Sequence, residues 1–509
     1  MLRLLSPFLL LVLFAACQDE LPEPTAESRL LTTAEIDRTL YAAVERSGVY
    51  HWSGASDELL WSAAMQSDSI FAVGYQPVGF QNIETEMHRI DLTAPQWADA
   101  RETVIELVLT NERALRPGLS RADLFPMGEP EVLPTLALHF TNPATVRQLR
   151  ELAEIRYVEP MGYELAPLAT NQVENRDAGC DGGPDYNLNP NDYTTIAPNV
   201  KQSWHHAASN ISGAWAASQG SGVTIAIIDT GASFAQDNLG SQFTAGYSGG
   251  RSVQKISTLY SGHWWWRKLD SPNDDCGHGT AMSGFATAPR GNDGNAVGVA
   301  YKSNLLAIRA VEDVIISSSN ERDGVKNALI NAGSRSDVKV ISMSIGTPFW
   351  SGTVADGVYY ANGQGKTILA AAGTSLTWTT WYGVIFPASM NETVAVTGVR
   401  DGSGAMDACS NCHEGGDVDF VMVMQRDGDS DRNALTLATS TDQPAYVGGS
   451  SAATASVAGI AALVYAQHPG ATRQQVYNTL RNHAGFYPNK DNDFGWGIID
   501  AAAAVNDPI

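Results

Sequence analysis

The part of the chain after Gly222 alternates short apolar runs with longer helical patterns. GVTIAIIDT (222–230), VKVISMSIG (338–346) and NETVAVTGV (391–399) have strand length and are rich in β-branched residues. Strands that alternate with helices form βαβ units, in which the strands pair in parallel and the helices cover both faces of the sheet. The sequence therefore predicts an α/β fold over residues 201–509, with a mostly parallel sheet flanked by helices on both faces.

A smaller unit with mixed patterns precedes this domain over residues 30–165. PQWADARETVIELVLTNERAL (95–115) and ATVRQLRELAE (144–154) have helical periodicity, whereas LPTLALHF (133–140) has the pattern of a strand. We therefore predict a small α+β domain here. Residues 166–200 are rich in Asn, Asp, Pro, Gly and Thr and show little periodicity, which predicts a linker or an N-terminal arm.

The first residues predict export from the cytoplasm. Residues 1–16 combine a positive charge at Arg3 with an apolar run at 8–14 that is too short to span a bilayer, as in a cleaved signal peptide. The sequence LFAAC, which ends at Cys17, resembles a bacterial lipoprotein signal and predicts lipidation of that cysteine; an ordinary cleaved signal is the alternative. Residues 17–29 are polar and contain prolines, which predicts a tether.

The predicted lipid anchor and the net charge of the chain indicate its location and exclude some classes of partner. Acidic residues directly follow Cys17 and resemble the surface-export signals of some Gram-negative bacteria, so we expect an extracytoplasmic lipoprotein at the outer membrane or cell surface. Asp and Glu number 55 against 32 Lys and Arg, which gives a formal net charge of −23. A chain this acidic is unsuited to nucleic acid or to an anionic membrane surface. We therefore expect no nucleic-acid partner and membrane contact only through the lipid.

Apart from the lipoprotein cysteine, the chain has four cysteines. They are Cys180, Cys276, Cys409 and Cys412. An even number in an exported chain favours disulfides, with a local loop closed by CSNC (409–412) and a long-range pair between Cys180 and Cys276. A metal site that uses His413 or His278 beside these cysteines is the alternative, although nothing else has zinc-ligand spacing.

Three polar residues lie where an α/β fold collects its active sites, at strand ends and helix starts. Asp229 ends the first strand of the domain, where a helix cap or turn role is the alternative. His278 lies between two glycines at the start of a small-residue helix, where a turn histidine is the alternative. Ser451 begins SAATASVAGIAALVYAQH (451–468), which is apolar on nearly all faces and therefore predicts a buried helix; a plain N-cap is the alternative.

Taken together, these residues supply the parts of an acyl-transfer site. A carboxylate orients a histidine base, and the histidine activates a serine nucleophile. The start of a buried helix also carries positive dipole and unpaired N–H groups, so the N–H of Ser451 can hold the oxyanion that forms when its hydroxyl attacks a carbonyl. The joint pattern predicts catalysis by Asp229, His278 and Ser451.

The motifs around these residues resemble those of the subtilisin-type serine peptidases, or subtilases. The family patterns DTG and HGT are matched at 229–231 and 278–280, and GTSMA is matched loosely by GSSAA at 449–453. The order of Asp, His and Ser along the chain is that of subtilisin. The resemblance covers roughly residues 200–509 and implies that Ser451 is the nucleophile.

The same resemblance implies how the substrate and the oxyanion are held. Subtilases pair an extended substrate with two backbone edges, as an added strand pairs with a sheet. The corresponding residues here are Ser344, Ile345, Gly346, Ala371, Ala372 and Gly373. The second oxyanion donor of the family is an Asn in the pattern AAGN, where this chain has Thr374. A Thr hydroxyl lies nearer the backbone than an Asn amide, so we expect a slower enzyme that still functions.

The resemblance implies a secreted serine endopeptidase that cleaves proteins or peptides, requires no cofactor for catalysis and processes itself from a zymogen. Residues 144–160 resemble the end of a subtilase propeptide, so we expect 30–165 to inhibit the enzyme until self-cleavage, which would free the peptidase domain from the anchor. Residues 30 to about 130 do not match a propeptide clearly, and a separate binding unit is the alternative to an enlarged prodomain there. The alternative is a weakly active or inactive surface lipoprotein that binds peptides or a partner. An esterase is a third option.

A structural calcium ion is a further option that the family implies. DGDSDRN (427–433) alternates acidic residues as a calcium loop does, but Arg432 stands where an EF-hand has glycine. A solvated loop is the alternative.

Overall fold

The computed structural model describes most of the chain. The described residues are 29–165, 179–180, 182–262, 266–373, 383–402, 404–410 and 412–509. The predicted signal peptide, the lipidation at Cys17 and the predicted oxyanion donor Thr374 lie outside the described residues.

Residues 30–165 form an α+β domain. Its strands are β1 (Ile70–Tyr75), β2 (Thr135–His139) and β3 (Ile155–Pro160), and its helices are α1 (Thr33–Ser47), α2 (Asp57–Met65), α3 (Ile83–Glu86), α4 (Pro95–Leu115) and α5 (Pro143–Glu151). The strands form an antiparallel sheet with β1 in the centre. Phe71 of β1 stacks on Phe140 with ring centroids 3.8 Å apart, within the core between sheet and helices. The α4 helix begins at Pro95, whose preset φ and missing N–H suit a first helical turn.

A nine-stranded sheet forms the centre of the second domain. Its strands are β6 (Thr224–Asp229), β7 (Val253–Ser257), β10 (Asn304–Arg309), β11 (Val338–Met343), β12 (Thr367–Ala371), β13 (Val394–Arg400), β14 (Phe420–Arg426), β15 (Asp429–Leu437) and β16 (Pro444–Val447). Two antiparallel strand pairs lie outside this sheet: β4 (Tyr193–Ile196) with β5 (Val200–Ser203), and β8 (Tyr260–Ser261) with β9 (Lys268–Leu269). The order across the sheet is β16-β15-β14-β13-β12-β11-β6-β10-β7. All neighbours from β7 to β14 are parallel, and β15 and β16 add antiparallel pairs at one edge. The predicted mostly parallel sheet is confirmed.

Helices cover both faces of this sheet, as predicted. They are α6 (Ile211–Ala214), α7 (His278–Thr287), α8 (Ser319–Ser334), α9 (Gly352–Gly363), α10 (Gly449–Gln467), α11 (Arg473–Asn482) and α12 (Ala501–Asn506). In β6, Ile225 and Ile227 belong to the apolar cluster that includes α7 and α10, whereas Ala226 and Ile228 belong to the cluster that includes α8 and α9. This division follows because successive side chains of a strand point to opposite faces.

The α10 helix is the core helix of the second domain. Every residue from Ser450 to Tyr465 is buried, as its apolar sequence predicts. Among the described helices it alone has the length and composition to cross a membrane, but 89% of its apolar window is buried inside the fold. Its hydrophobicity is therefore accounted for by protein packing.

The chain from Gly182 to Ser203 runs as an arm along the second domain. Its Asp185 N–H donates to the C=O of Pro444 at 2.9 Å. The buried carboxylate of Asp192 pairs with Arg432 at 2.5 Å. These contacts tie the arm to the outer strands of the sheet.

Candidate active site

Asp229 is the last residue of β6, which lies between β10 and β11 near the middle of the sheet. Its side chain is fully buried. Its Oδ1 accepts the N–H of Thr230 at 2.8 Å and lies 2.7 Å from Nδ1 of His278. The predicted orienting carboxylate and the predicted base are therefore in direct contact.

Two glycines bring the start of α7 against the turn after β6. Gly277 has a φ of +92°, in the left-handed region that favours glycine. Position 279 has no room for a side chain, because a Cβ there would lie 2.3 Å from the C=O oxygen of Gly231. This close approach of the HGT segment to the DTG segment carries the imidazole of His278 to Asp229.

The environment of His278 suits a general base. The side chain is 5% exposed. Burial lowers the pKa of His278, but the charge and hydrogen bond of Asp229, together with the charges of Asp274 and Asp313, outweigh burial, so the pKa is raised above its ordinary value of 6.5. Because Nδ1–H donates to Asp229, Nε2 is the ring nitrogen left to accept a proton.

The two serines that open α10 make different contacts. Ser450 is fully buried, and its hydroxyl donates to the C=O of Gly373 at 2.8 Å. Ser451 is 8% exposed, and its hydroxyl lies 3.4 Å from the C=O of Ser344. The hydroxyl of Ser451 has the longer and weaker contact, so it is the one that can be turned toward a substrate.

The sheet register brings the three predicted catalytic residues to one edge. The last residue of β11 lies opposite Ile228, so Ser344 and Asp229 are the next residues of the two neighbouring chain segments. Ser344 exchanges hydrogen bonds with Ser451, and Asp229 contacts His278. The described hydrogen bonds of these residues do not include one between His278 and Ser451.

Comparison with protein families identifies the family of this chain. The model of the subtilase family matches residues 220–497, which is more than half of the chain. The chain belongs to the subtilase family.

Two known proteases and one solved structure are similar to this chain. Thermitase from Thermoactinomyces vulgaris is 28% identical over 292 residues, which cover 57% of this chain and 91% of thermitase. The thermophilic serine proteinase of Bacillus sp. strain AK1 is also 28% identical, and the match covers 57% of this chain and 64% of that protein, less than two thirds of its length. Fervidolysin from Fervidobacterium pennivorans, described as a keratinolytic enzyme related to subtilisin, has a TM-score of 0.58 at 17% identity and covers 86% of this chain and 61% of its own. That similarity shows a common fold, and the predicted subtilisin-like α/β class is confirmed.

The predicted substrate-binding residues of this subtilase lie at the carboxyl ends of β11 and β12, but part of their backbone is already paired. The N–H of Gly346 donates to Val314 at 3.1 Å, and its C=O accepts from Ile316 at 3.0 Å. The N–H of Ala372 donates to Val396, and its C=O accepts from Ile385, both at 2.9 Å. An extended substrate can pair with Gly346 only by displacing the 314–316 segment, which sequence reasoning did not anticipate.

Both predicted disulfide pairings are present in the structure. Cys180 is bonded to Cys276, and Cys409 is bonded to Cys412. Within the described residues, no group of three or more His, Cys, Asp or Glu side chains is arranged to hold a metal ion. Arg432 of the predicted calcium loop pairs with Asp192; calcium binding stays a prediction.

Asp274 is a site residue that sequence reasoning missed. This buried carboxylate accepts hydrogen bonds from the N–H groups of Gly277 and Thr280, both at 2.7 Å, and from the Thr280 hydroxyl at 2.6 Å. It also accepts the hydroxyl of Thr230 at 2.8 Å. Asp274 therefore ties the start of α7 to the turn after Asp229. The signal in the sequence is an acid four residues before the histidine, a short-range cap of a helix start.

Proposed function

We propose that the chain is an exported serine endopeptidase that hydrolyses peptide bonds through Asp229, His278 and Ser451. The observation that carries the proposal is the buried 2.7 Å contact between His278 Nδ1 and Asp229 Oδ1, at the sheet edge where Ser451 opens the core helix. Family membership supports the same reaction class. Protein or peptide substrates and the absence of a catalytic cofactor belong to the proposal.

In the proposed reaction, Asp229 accepts the Nδ1–H of His278, which leaves the Nε2 lone pair free. The Ser451 oxygen bonds to the carbonyl carbon of the substrate as its proton passes to Nε2. The imidazolium, stabilised by Asp229, then protonates the amine that departs when the C–N bond breaks. A water molecule repeats these proton transfers on the acyl-enzyme and releases the acid product, which restores Ser451 and His278.

The start of α10 would stabilise the oxyanion. The first N–H groups of a helix have no partner within it, and the helix dipole favours negative charge at that end. The N–H of Ser451 belongs to this first turn. We propose Thr374 as the second donor, directly after Gly373. Because losing one oxyanion donor lowers kcat by about 10² to 10³, a weaker donor at Thr374 is compatible with a slow enzyme.

We propose that residues 30–165 are the propeptide of this enzyme. The contact of β3 with the second domain supports this assignment. Arg156 pairs with Asp356 of α9 through two hydrogen bonds of 2.5 and 2.8 Å, and Glu159 accepts the N–H of Gly352, the first residue of α9, at 2.8 Å. Removing one partner of a buried ion pair costs about 3–5 kcal/mol, so we expect the two domains to fold as a unit.

Self-processing is the experiment that tests the proposal. Residues 18–509 are expressed without lipid beside Ser451→Ala and Ser450→Ala, and each is followed by intact mass and by labelling with a phosphonylating reagent. We expect the parent and Ser450→Ala to be labelled and to lose the N-terminal domain by a cut between about 160 and 200. The Ser451→Ala protein should be neither labelled nor cut.

The result also separates the proposal from its alternative. A parent protein that is neither cut nor labelled would favour a surface lipoprotein that binds peptides or a partner. A parent that is labelled but uncut would keep the nucleophile and reject self-processing. Turnover of an activated ester without turnover of a peptide amide would favour an esterase.

We also propose that Cys17 carries the lipid that holds the zymogen at the outer membrane or cell surface. The short apolar run before this residue supports the proposal. Expression of the full chain and of Cys17→Ser tests it by detergent phase partitioning. The parent should enter the detergent phase and the variant the aqueous phase; equal partitioning would reject the anchor.

A further inference from the structure

A short segment outside the subtilase motifs lies against the start of α7. It consists of the described residues Gly179, Cys180 and Gly182, and we refer to it as the strap. Cys180 is bonded to Cys276, two residues before His278. The strap is therefore linked covalently to the turn that carries the proposed base.

The strap lies beside the Nε2 and Cδ2 side of the His278 imidazole. The Nδ1 side of His278 is turned to Asp229, so the Nε2 and Cδ2 side is the one that must meet the nucleophile and the substrate. A Cβ at position 179 would lie 3.6 Å from Cδ2 of His278 and 3.0 Å from Cγ1 of Val314. A side chain at position 179 would therefore contact the ring, and it could not point to Val314 without movement.

The strap is held to the second domain at two points that do not involve Val314. Gly182 is buried, its C=O accepts the N–H of Thr439 at 2.7 Å, and its Cα would lie 3.0 Å from a Cβ at Gly277. The disulfide between Cys180 and Cys276 adds a covalent link. The strap therefore keeps its place beside His278 when a substrate displaces the bond between Val314 and Gly346.

We propose that the strap is a specificity-determining wall of the substrate cleft, which admits only a small side chain on the substrate residue that precedes the attacked one. Successive side chains of an extended peptide point to opposite sides. If the residue whose carbonyl is attacked faces the ends of β11 and β12, the preceding residue faces His278 and Gly179. Glycine, alanine and serine fit there, and leucine and phenylalanine collide with the strap. This inference rests on the proposed peptidase function.

The test compares peptide amides that differ only at that preceding residue. Residues 18–509 are used after self-processing, and kcat/KM is expressed per site titrated by the phosphonylating reagent. The strap proposal requires the cut to lie before Gly179, so a processed N-terminus after Gly182, found by intact mass, overturns it. We expect the parent to favour alanine over leucine by at least about tenfold, the scale on which a pocket discriminates side-chain size. In Cys180→Ser/Cys276→Ser the ratio should fall by about tenfold, because the strap can then move aside.

The matched control removes the other disulfide. Cys409→Ser/Cys412→Ser should keep the alanine-to-leucine ratio of the parent. In this control background a mild reductant opens only the Cys180–Cys276 bond, so the ratio should fall on reduction and return on reoxidation. This arm does not depend on the folding of the strap variant.

The outcomes distinguish this inference from the proposed function. A protein that neither labels nor cleaves overturns the peptidase proposal and the strap proposal with it. A protein that labels and cleaves, but has the same ratio with the Cys180–Cys276 bond closed and open, overturns the strap proposal alone. A parent that cleaves the leucine and alanine peptides equally well also overturns it.

Discussion

The starts of α7 and α10 are both buried helix N-termini at the same edge of the sheet, yet they are built in opposite ways. At α7 the carboxylate of Asp274 accepts the first N–H groups of the helix. At α10 the preceding residue, Gly448, makes no side-chain hydrogen bond to the helix. In the proposed reaction, the first arrangement occupies the helix start with a carboxylate and fixes the position of His278, whereas the second offers the N–H of Ser451 to the oxyanion. Under that proposal, one helix start serves for positioning and the other for electrostatic stabilisation.

The largest test of this contrast is the removal of the nucleophile at α10. We expect Ser451→Ala to lower kcat by about 10⁶-fold, as removal of the equivalent serine does in subtilisin. Ser450→Ala should retain phosphonate labelling, because its hydroxyl is engaged with Gly373. Active-site labelling and peptide hydrolysis measure both variants. Loss of labelling in Ser450→Ala but not in Ser451→Ala would show that Ser450 is the nucleophile and that the assignment to Ser451 is wrong.

The next test removes the charge that faces the histidine at α7. We expect Asp229→Asn to lower kcat by about 10⁴-fold, because the imidazole loses its orientation and its stabilised cation. Activity requires neutral His278, so kcat/KM should fall as pH drops through its raised pKa. In the variant this fall in kcat/KM should occur at lower pH, because burial lowers the pKa of His278 and the charge of Asp229 no longer opposes it.

The pH profiles of kcat/KM for the parent and Asp229→Asn provide the measurement. Residual activity makes the variant profile accessible at high enzyme concentration. An acid limb at the same pH in both proteins would show that Asp229 does not control the proton affinity of His278.

A third test makes the start of α7 more like that of α10. Asp274→Asn keeps the shape of the side chain but replaces one of its two acceptor oxygens by an NH2 group, so some of its buried donors lose their partners. We expect unfolding stability to fall by about 1–3 kcal/mol and kcat/KM to fall by roughly ten- to a hundredfold, since the base shifts.

The neighbouring carboxylate of Asp275 is the matched control for this change. Its side chain is 74% exposed and lies 3.5 Å from Arg309, so Asp275→Asn should change stability and activity little. Thermal unfolding and peptide hydrolysis are compared for both variants. Equal effects at the two positions would contradict the capping role of Asp274.

The smallest expected effect concerns the start of α9, which is capped from the other domain. Burial raises the pKa of Glu159 to about 8, with Asp356 adding to the effect and the Gly352 N–H, Arg322 and Arg156 opposing it. A carboxyl whose pKa is raised in the complex stabilises the contact fully only at low pH, and this contribution is lost as pH rises through about 8. The cleaved N-terminal domain should therefore dissociate more readily at pH 9 than at pH 6.

Size-exclusion chromatography of the processed protein at the two pH values measures this release. Glu159→Gln carries an uncharged amide at both pH values and should weaken the pH dependence. Glu151→Gln, at an exposed position of α5, should preserve it. Equal retention of the N-terminal domain at both pH values in the parent protein would reject the role of Glu159.

Local patterns predicted much of this molecule because they report burial and turn geometry directly. The alternation of strands and helices led to the parallel sheet, and the apolar sequence after Ser451 led to a core helix. The glycines beside His278 predicted a tight helix start, and Gly279 is required there because a side chain would collide with Gly231. Each of these inferences needs only the residues within one or two turns of the chain.

Contacts between distant segments were beyond the reach of the same reasoning. Nothing near Gly346 in the sequence indicates that its backbone is paired with Val314 and Ile316. Nothing near Gly179 indicates that it lies beside His278, 99 positions further along the chain. Asp274 is an intermediate case, since its position before the histidine is visible but its bond to Thr230 is not.

By itself the sequence determined the α/β class, the residues with the chemistry for acyl transfer and the cysteines that pair. These follow from side-chain polarity, periodicity and short-range geometry, which each segment carries with it. Only the tertiary structure decided that Asp274 ties the start of α7 to the turn after Asp229, that the backbone of Gly346 is already paired and that a disulfide joins Cys180 to the turn before His278. Those features depend on which segments meet across the sheet, and that outcome is set by the packing of the whole chain.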